Sequence, residues 1–231
     1  MCPLPEAHDL DCYFDLEGDP LLGGSRGREY LWGIAHRENG TLCFDAALAH
    51  DALAEREACR CFVESIEQRF DESEGRAHAY HYGAYERSAL RRVAAGDAEL
   101  ERKLESLGAR GAFVDLYSVV KRTLLVGEPR YSLKNVEKLY RGKRNNSEVN
   151  DAVGSVVGYE LWLANRDPSL LDELVAYNRD DCESTAELVD WIREAFPIAR
   201  SEEEVEEALP QSDEDKAVSY THLTLPTILL V

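Results

Sequence analysis

The chain has 231 residues, a formal net charge of −19, 44% hydrophobic and 31% charged residues. That balance fits one globular domain with a real core and excludes a disordered chain. No apolar run reaches the ~18–20 residues needed to span a bilayer, so no membrane partner is expected.

The N-terminal "MCPLPEAHDL" has neither a basic start nor an apolar run, so no signal peptide is read and a cytoplasmic location is expected. The six cysteines (2, 12, 43, 59, 61 and 182) contain no C-x-x-C pair and no framework spacing. Reduced thiols are expected, and a zinc site is not. Part of the charge is local: residues 201–216 hold eight acids and one lysine. The last fifteen residues add nothing, which leaves −12 on residues 1–200. Such a body is a poor global field for a polyanion unless cations or a basic patch intervene.

In chain order, "CYFDLEG", "EYLWGIAH" and "TLCFDAAL" predict three strands, with Arg37-Glu38-Asn39-Gly40 as the hairpin turn between the second and third. Residues 52–70 predict an amphipathic helix with Ala58, Cys61, Phe62, Ile66 and Phe70 inward. "HAYHYG" predicts a fourth strand. "AYERSALRRVAAG" predicts a helix stopped by Gly96, and "DAELERKLESLG" a polar helix started by an Asp and ended by a Gly. "AFVDLY" predicts a fifth strand. Helical segments follow, the last over about 169–196 and halted by Pro197. A meander followed by alternating strands and helices predicts a mixed α/β sheet covered on both faces.

Four acids sit where this pattern calls for apolar residues. Asp15 and Glu17 share one face of the first strand, roughly 6–7 Å apart at ~3.3 Å per residue. Glu86 shares the inward face of Ala89, Leu90 and Val93. Asp181 falls on the stripe Leu171, Leu174, Leu188 and Ile192, with Tyr177 four residues earlier. Asp180 groups instead with Glu173, Ser184 and Glu187 on the polar side. A lone inward carboxylate is costly or protonated. Convergence on hard divalent cations explains four of them, and two such ions can serve phosphodiester cleavage. Each signal also has an ordinary reading. Asp-x-Glu is common, Glu86 suits a helix N-terminus, and Tyr177 with Asp181 suits a simple side-chain hydrogen bond.

Together these residues resemble the DEDD exonucleases of the ribonuclease H-like superfamily. Asp15 and Glu17 match their first motif, and Tyr177 with Asp181 matches the third motif of the tyrosine subgroup. "YGAYE" matches the second in part, with Tyr82, Tyr85 and Glu86 where those enzymes have Asn, Phe and Asp. "FDLEGDP", "HYGAYERSALRR", "YSLKNVEKLY" and "YNRDDCEST" resemble, more narrowly, the predicted RecB-family nucleases with a YprB-like ribonuclease H-like domain, some of which are fused to a helicase. The resemblance implies a five-stranded sheet with three antiparallel and two parallel strands. It implies 3′–5′ exonuclease activity with two Mg²⁺ or Mn²⁺ ions on single-stranded DNA or RNA. Asp15 would bridge both ions. Glu17 and Asp181 would hold the one that activates water, Glu86 would reach the second, and Tyr177 would orient the water. Asp115 in "FVDLYSVV" would cap a helix or support the site from behind.

Residues 121–144 carry eight basic side chains and two acids, a local +6. Lys134, Lys138, Arg141, Lys143 and Arg144, interleaved with Tyr131 and Tyr140, are candidates for nucleic-acid contact. An ordinary solvated helix face is the other reading. His78 and His81 lie three apart, on opposite sides, and are not read as ligands. The expected organisation is a ribonuclease H-like domain over 1–199, an acidic linker over 200–217 and a non-native tail over 218–231. "VSYTHLTLPT" resembles one reading frame of a transposase-end sequencing adapter, so the natural chain is expected to run on beyond Ala217. Two rival functions remain: a non-cleaving nucleic-acid-binding module of a nuclease-helicase, and a two-carboxylate glycosidase needing no metal.

Overall fold

The computed structural model describes residues 2–22, 27–141, 152–196 and 229–230. Lys143, Arg144, the acidic linker and most of the expected tail lie outside them. Strand β1 (Cys12–Asp19) pairs antiparallel with β2 (Arg28–Glu38), which pairs antiparallel with β3 (Thr41–Leu48). Asn39 (φ 51°) and Gly40 (φ 81°) make the two-residue turn between β2 and β3, the positive-φ pair that a tight hairpin requires. On the other side of β1 run the parallel strands β4 (Ala79–His81) and β5 (Phe113–Asp115). The five-stranded sheet has the order β3-β2-β1-β4-β5, the mixed arrangement expected.

β4 and β5 span three residues each, shorter than their apolar runs. The chain leaves β5 early because Asp115 caps a helix, accepting from the Tyr117 N–H at 3.0 Å. What reads as the end of a strand, "LY", is therefore the start of α4 (Leu116–Thr123).

Both faces of the sheet are covered, which is why its central strands read as nearly unbroken apolar runs. Cys12, Phe14 and Leu16 of β1 pack on α1 (Ala52–Glu72), α2 (Tyr85–Ala94) and α3 (Ala98–Ala109). Asp51 caps α1 through the Leu53 and Ala54 N–H groups. The buried stripe of α1 is Cys59, Phe62, Val63, Ile66 and Phe70. Cys61, expected inward, is exposed, because the i, i+3, i+4 series through Phe62 and Ile66 passes through Cys59 and Val63.

On the opposite face, Tyr13, Asp15 and Glu17 point toward α7 (Pro168–Ala195). This 28-residue helix is started by Asp167 and Pro168 and packs over β1, β2, β3 and β4. Helix α6 (Ala152–Asn165) lies beside α7 and β1. Ser184, expected on the polar side of α7, is fully buried, since the Tyr140 hydroxyl lies 2.9 Å from its Oγ. Between α4 and α6 come β6 (Leu124–Leu125), α5 (Leu133–Val136) and a 3₁₀ turn (Glu137–Leu139). β7 (Leu229–Leu230) pairs with β6. Two residues of extended chain can add to any open strand edge.

Phe62 meets Phe14 edge-on at 4.9 Å and approaches Trp32, tying α1 to the centre of the sheet. Phe62→Ala should cost about 3–5 kcal/mol, read as a lower midpoint in urea denaturation.

Candidate metal centre

The last residues of β1 carry the site. Its register with β2 runs Asp15↔Gly33, Leu16↔Trp32 and Glu17↔Leu31, then skips Tyr30 to pair Gly18 with Glu29. This bulge strengthens the local twist where the strand leaves the core. Across the groove, α7 presents Tyr177 and Asp181, one helical turn apart on one face. Carboxylate oxygens of Asp15, Glu17 and Asp181 lie within 4.8 Å of one another. Glu17 and Asp181 are buried, and Asp15 is partly so.

Such crowding has an electrostatic cost. Burial raises the Asp15 carboxyl well above its ordinary range, and the charges of Glu17, Asp181 and Glu86 raise it further. Burial likewise pushes Glu17 up to about 8. A hydrogen bond from Ser155 and the charge of Lys134 oppose that rise, while Asp181 adds to it. Ser155 Oγ donates to Glu17 Oε2 at 2.5 Å. Its proton is then committed, so the buried Tyr30 hydroxyl is the donor in the short Tyr30–Ser155 bond. Tyr30 stacks on Tyr159 of α6 with centroids 3.8 Å apart. On the other side, Asn178 Nδ2 donates to Asp15 Oδ2 at 2.9 Å and to its backbone oxygen at 3.1 Å.

The donor set suits a hard divalent cation: three carboxylates, all oxygen, close together and repelling one another until an opposite charge arrives. Asp15, Glu17 and Asp181 are the residues that could hold it.

Glu86, the fourth acid expected at the site, lies outside the three-carboxylate cluster, although its charge acts on Asp15. It sits buried in the first turn of α2. Its Oε2 lies 3.5 Å from His81 Nδ1, and both atoms are buried without a hydrogen-bond partner among the described residues. β4 ends at His81 and α2 begins at Tyr85, so a four-residue step brings the two side chains face to face. His81 is thus a neighbour of the site that its spacing from His78 did not reveal. Asp115 caps α4 and ties it to the loop after β4. It accepts from the Gly83 N–H at 3.0 Å and from Ser118 Oγ at 2.5 Å. Burial raises its carboxyl, but these bonds outweigh it and hold the group below its ordinary range.

Of the basic candidates, Lys134 lies in the four-residue α5, Lys138 in the 3₁₀ turn and Arg141 just beyond it. Lys134 turns into the site: its Nζ donates to the Tyr177 hydroxyl at 2.9 Å and lies 4.6 Å from the ring centre. Arg141 folds back on α7, pairing with Asp180 at 2.9 Å and Glu187 at 2.8 Å. Lys138 pairs with Glu128 at 3.1 Å and stays exposed.

Two clefts meet at the carboxylates. One, of about 850 Å³, is lined by Tyr82, Tyr117, Lys121, Arg130, Tyr131 and Lys134 before it reaches Asp15, Tyr177 and Asp181. The other, of about 520 Å³, is mostly apolar, with Leu16, Leu21, Tyr85, Val153 and Val156 beside the same acids and Glu17. A basic, aromatic channel can hold a phosphate chain with its bases, whereas an apolar hollow suits one uncharged ring system.

Comparison with curated proteins finds no match. The model of one family, described as the RNase H superfamily, matches residues 12–193. That stretch contains the whole five-stranded sheet and all three clustered carboxylates. A chain with this sheet order, acids at the end of its central strand and a sequence match over most of its length belongs to the RNase H superfamily.

Proposed function

We propose that this chain is a metal-dependent 3′–5′ exonuclease that hydrolyses phosphodiester bonds of single-stranded DNA or RNA with two Mg²⁺ or Mn²⁺ ions. The observation that carries the reading is the Asp15–Glu17–Asp181 cluster at the junction of a basic, aromatic cleft and an apolar one. Cations bound there would supply a water of lowered pKa and positive charge for the departing oxygen. Asp15, Glu17 and Asp181 would hold them, and Glu86, whose charge acts on Asp15, is the further acid that could contribute to a second. Tyr177 orients the attacking water, and its hydroxyl is itself fixed by the Lys134 ammonium. Tyr117, Lys121, Arg130 and Tyr131 guide the chain, and the apolar cleft receives the terminal base. Lys138 and Arg141, engaged with acids, contribute less to this path than Lys121 and Arg130.

One observation favours a second reading. Glu86 lies outside the three-carboxylate cluster, against His81. A site that holds cations without completing the second position would be a nucleic-acid-binding module. Purified protein with Mn²⁺ and single strands labelled at either end separates the two. Stepwise loss of nucleotides from the 3′ end supports the exonuclease, and binding without cleavage supports the module.

The cluster predicts the effect of cations on stability. Mn²⁺ or Mg²⁺ at about 100 times its Kd should raise Tm by about 5–10 °C. Asp15→Asn or Asp181→Asn should remove that rise and the cleavage while leaving the metal-free fold at least as stable, since each deletes a repelling charge. Unchanged cleavage in either variant contradicts the assignment.

The raised carboxyls predict a pH dependence. Glu17 ionises near 4.5 in the unfolded chain and near 8 in the fold, so between these values the folded, metal-free protein binds more protons. Its stability should therefore fall as pH rises from about 4.5 to 8, with Asp15 acting in the same direction. Glu17→Gln should flatten the fall, and saturating cation should reverse part of it because metal and protons compete. Urea midpoints across that range provide the check, and a wild type whose slope equals that of Glu17→Gln contradicts it.

The division between chemistry and guidance predicts opposite kinetic signatures. Tyr177→Phe should lower kcat by about 10–100-fold with little change in KM. Removing the charges of Lys121 and Arg130 should raise KM and reduce the salt slope of binding by about one unit per lost phosphate contact.

A further inference from the structure

Asn178 lies beside Tyr177 in sequence but faces the sheet, fully buried. Directly beneath it is Gly33, the residue of β2 that stands opposite Asp15. A Cβ at Gly33 would lie 1.7 Å from Asn178 Oδ1, so the amide occupies the place a side chain would fill. Glycine inside a central strand weakens it unless something must come close, and here the incoming group is this amide.

The orientation of the amide follows from its neighbours. Nδ2 meets Asp15 Oδ2 at 2.9 Å and the Asp15 backbone oxygen at 3.1 Å, and the backbone oxygen can only accept. A reversed amide would set its oxygen against that carbonyl oxygen, so the nitrogen must face Asp15. Both hydrogens of the amide are then spent on one residue. Oδ1 is left buried with no hydrogen-bond partner among the described residues, an unfavourable arrangement that simple packing does not call for.

We propose that Asn178, seated in the socket left by Gly33, is a positioning residue that clamps the Asp15 carboxylate toward Glu17 and Asp181 so that the cluster stands assembled before a cation binds. The inference rests on the reading of the cluster as a cation site. Without the clamp, the Asp15 side chain turns away from the two like charges beside it, and each cation must first bring it back. Groups that hold a metal ligand from behind typically contribute 10–100-fold to affinity. Asn178 touches neither cation nor substrate and acts only through Asp15.

Mn²⁺ affinity of the full chain, read by calorimetry without any substrate, tests this alongside the melting temperature of the metal-free protein. Asn178→Ala should weaken Mn²⁺ binding at least about tenfold. Gly33→Ala, which adds one methyl and leaves every acid in place, should weaken it as well by displacing the amide. The double variant should bind no worse than Asn178→Ala alone, because the two changes break the same contact. If Asn178→Ala binds Mn²⁺ like the wild type and only melts lower, the residue is structural and the proposal is overturned. That variant alone decides where Gly33→Ala does not fold. A wild type that takes up no Mn²⁺ overturns the cation reading and the clamp with it, whereas a wild type that binds while both variants match it overturns the clamp only.

Discussion

Asp15, Glu17 and Asp181 repel one another, and much of the surrounding structure holds them together against that repulsion. Two come from successive same-face positions of β1 and the third from a helix that crosses the sheet above them. Neither element can yield freely. β1 is the central strand, with neighbours on both sides and apolar layers on both faces. α7 is anchored beyond the site by Leu188, Val189 and Ile192, and Arg193 fastens the same end to Asp11 and the Tyr80 hydroxyl. The apolar packing thus maintains a charge arrangement that is unfavourable until a cation offsets it.

The buried polar groups around the cluster divide the work. Asn178 serves Asp15, Ser155 and Tyr30 serve Glu17, and Lys134 places a positive charge near Glu17 and Tyr177. Through Ser155 and the Tyr30–Tyr159 stack, helix α6 is connected to Glu17. The same helix supplies Val153 and Val156 to the apolar cleft. On the proposed reading, whatever fills that cleft bears on the helix that supports Glu17. On the same reading, the nucleic-acid path on the other side would depend on Lys121, Arg130 and the tyrosines, which give the acidic chain a local surface suited to phosphate.

The sheet and the three clustered acids were legible because they disturb a strong pattern. Asp15 and Glu17 interrupt an apolar strand, and Asp181 interrupts an apolar helical stripe. What supports them was less visible. Asn178 and Ser155 are ordinary polar residues whose partners lie 163 and 138 positions away in the chain. Gly33 within "YLWGIAH" was a usable sign of a close approach, although not of its occupant. The pairing of Glu86 with His81 depends on how tightly the chain turns between β4 and α2, which periodicity does not record. The placement of Lys134, Lys138 and Arg141 was not legible from charge spacing, because among the described residues the chain there forms one short helix and a 3₁₀ turn.

The central claim is that the three-carboxylate cluster is a cation site. Crystals grown without metal and then soaked in Mn²⁺ test it most directly, through the anomalous scattering of manganese. The account predicts a strong anomalous peak bounded by the side chains of Asp15, Glu17 and Asp181, lost when Asp181 is replaced by Asn. A soaked crystal with no peak at these residues, or with manganese bound only elsewhere on the acidic surface, would contradict it.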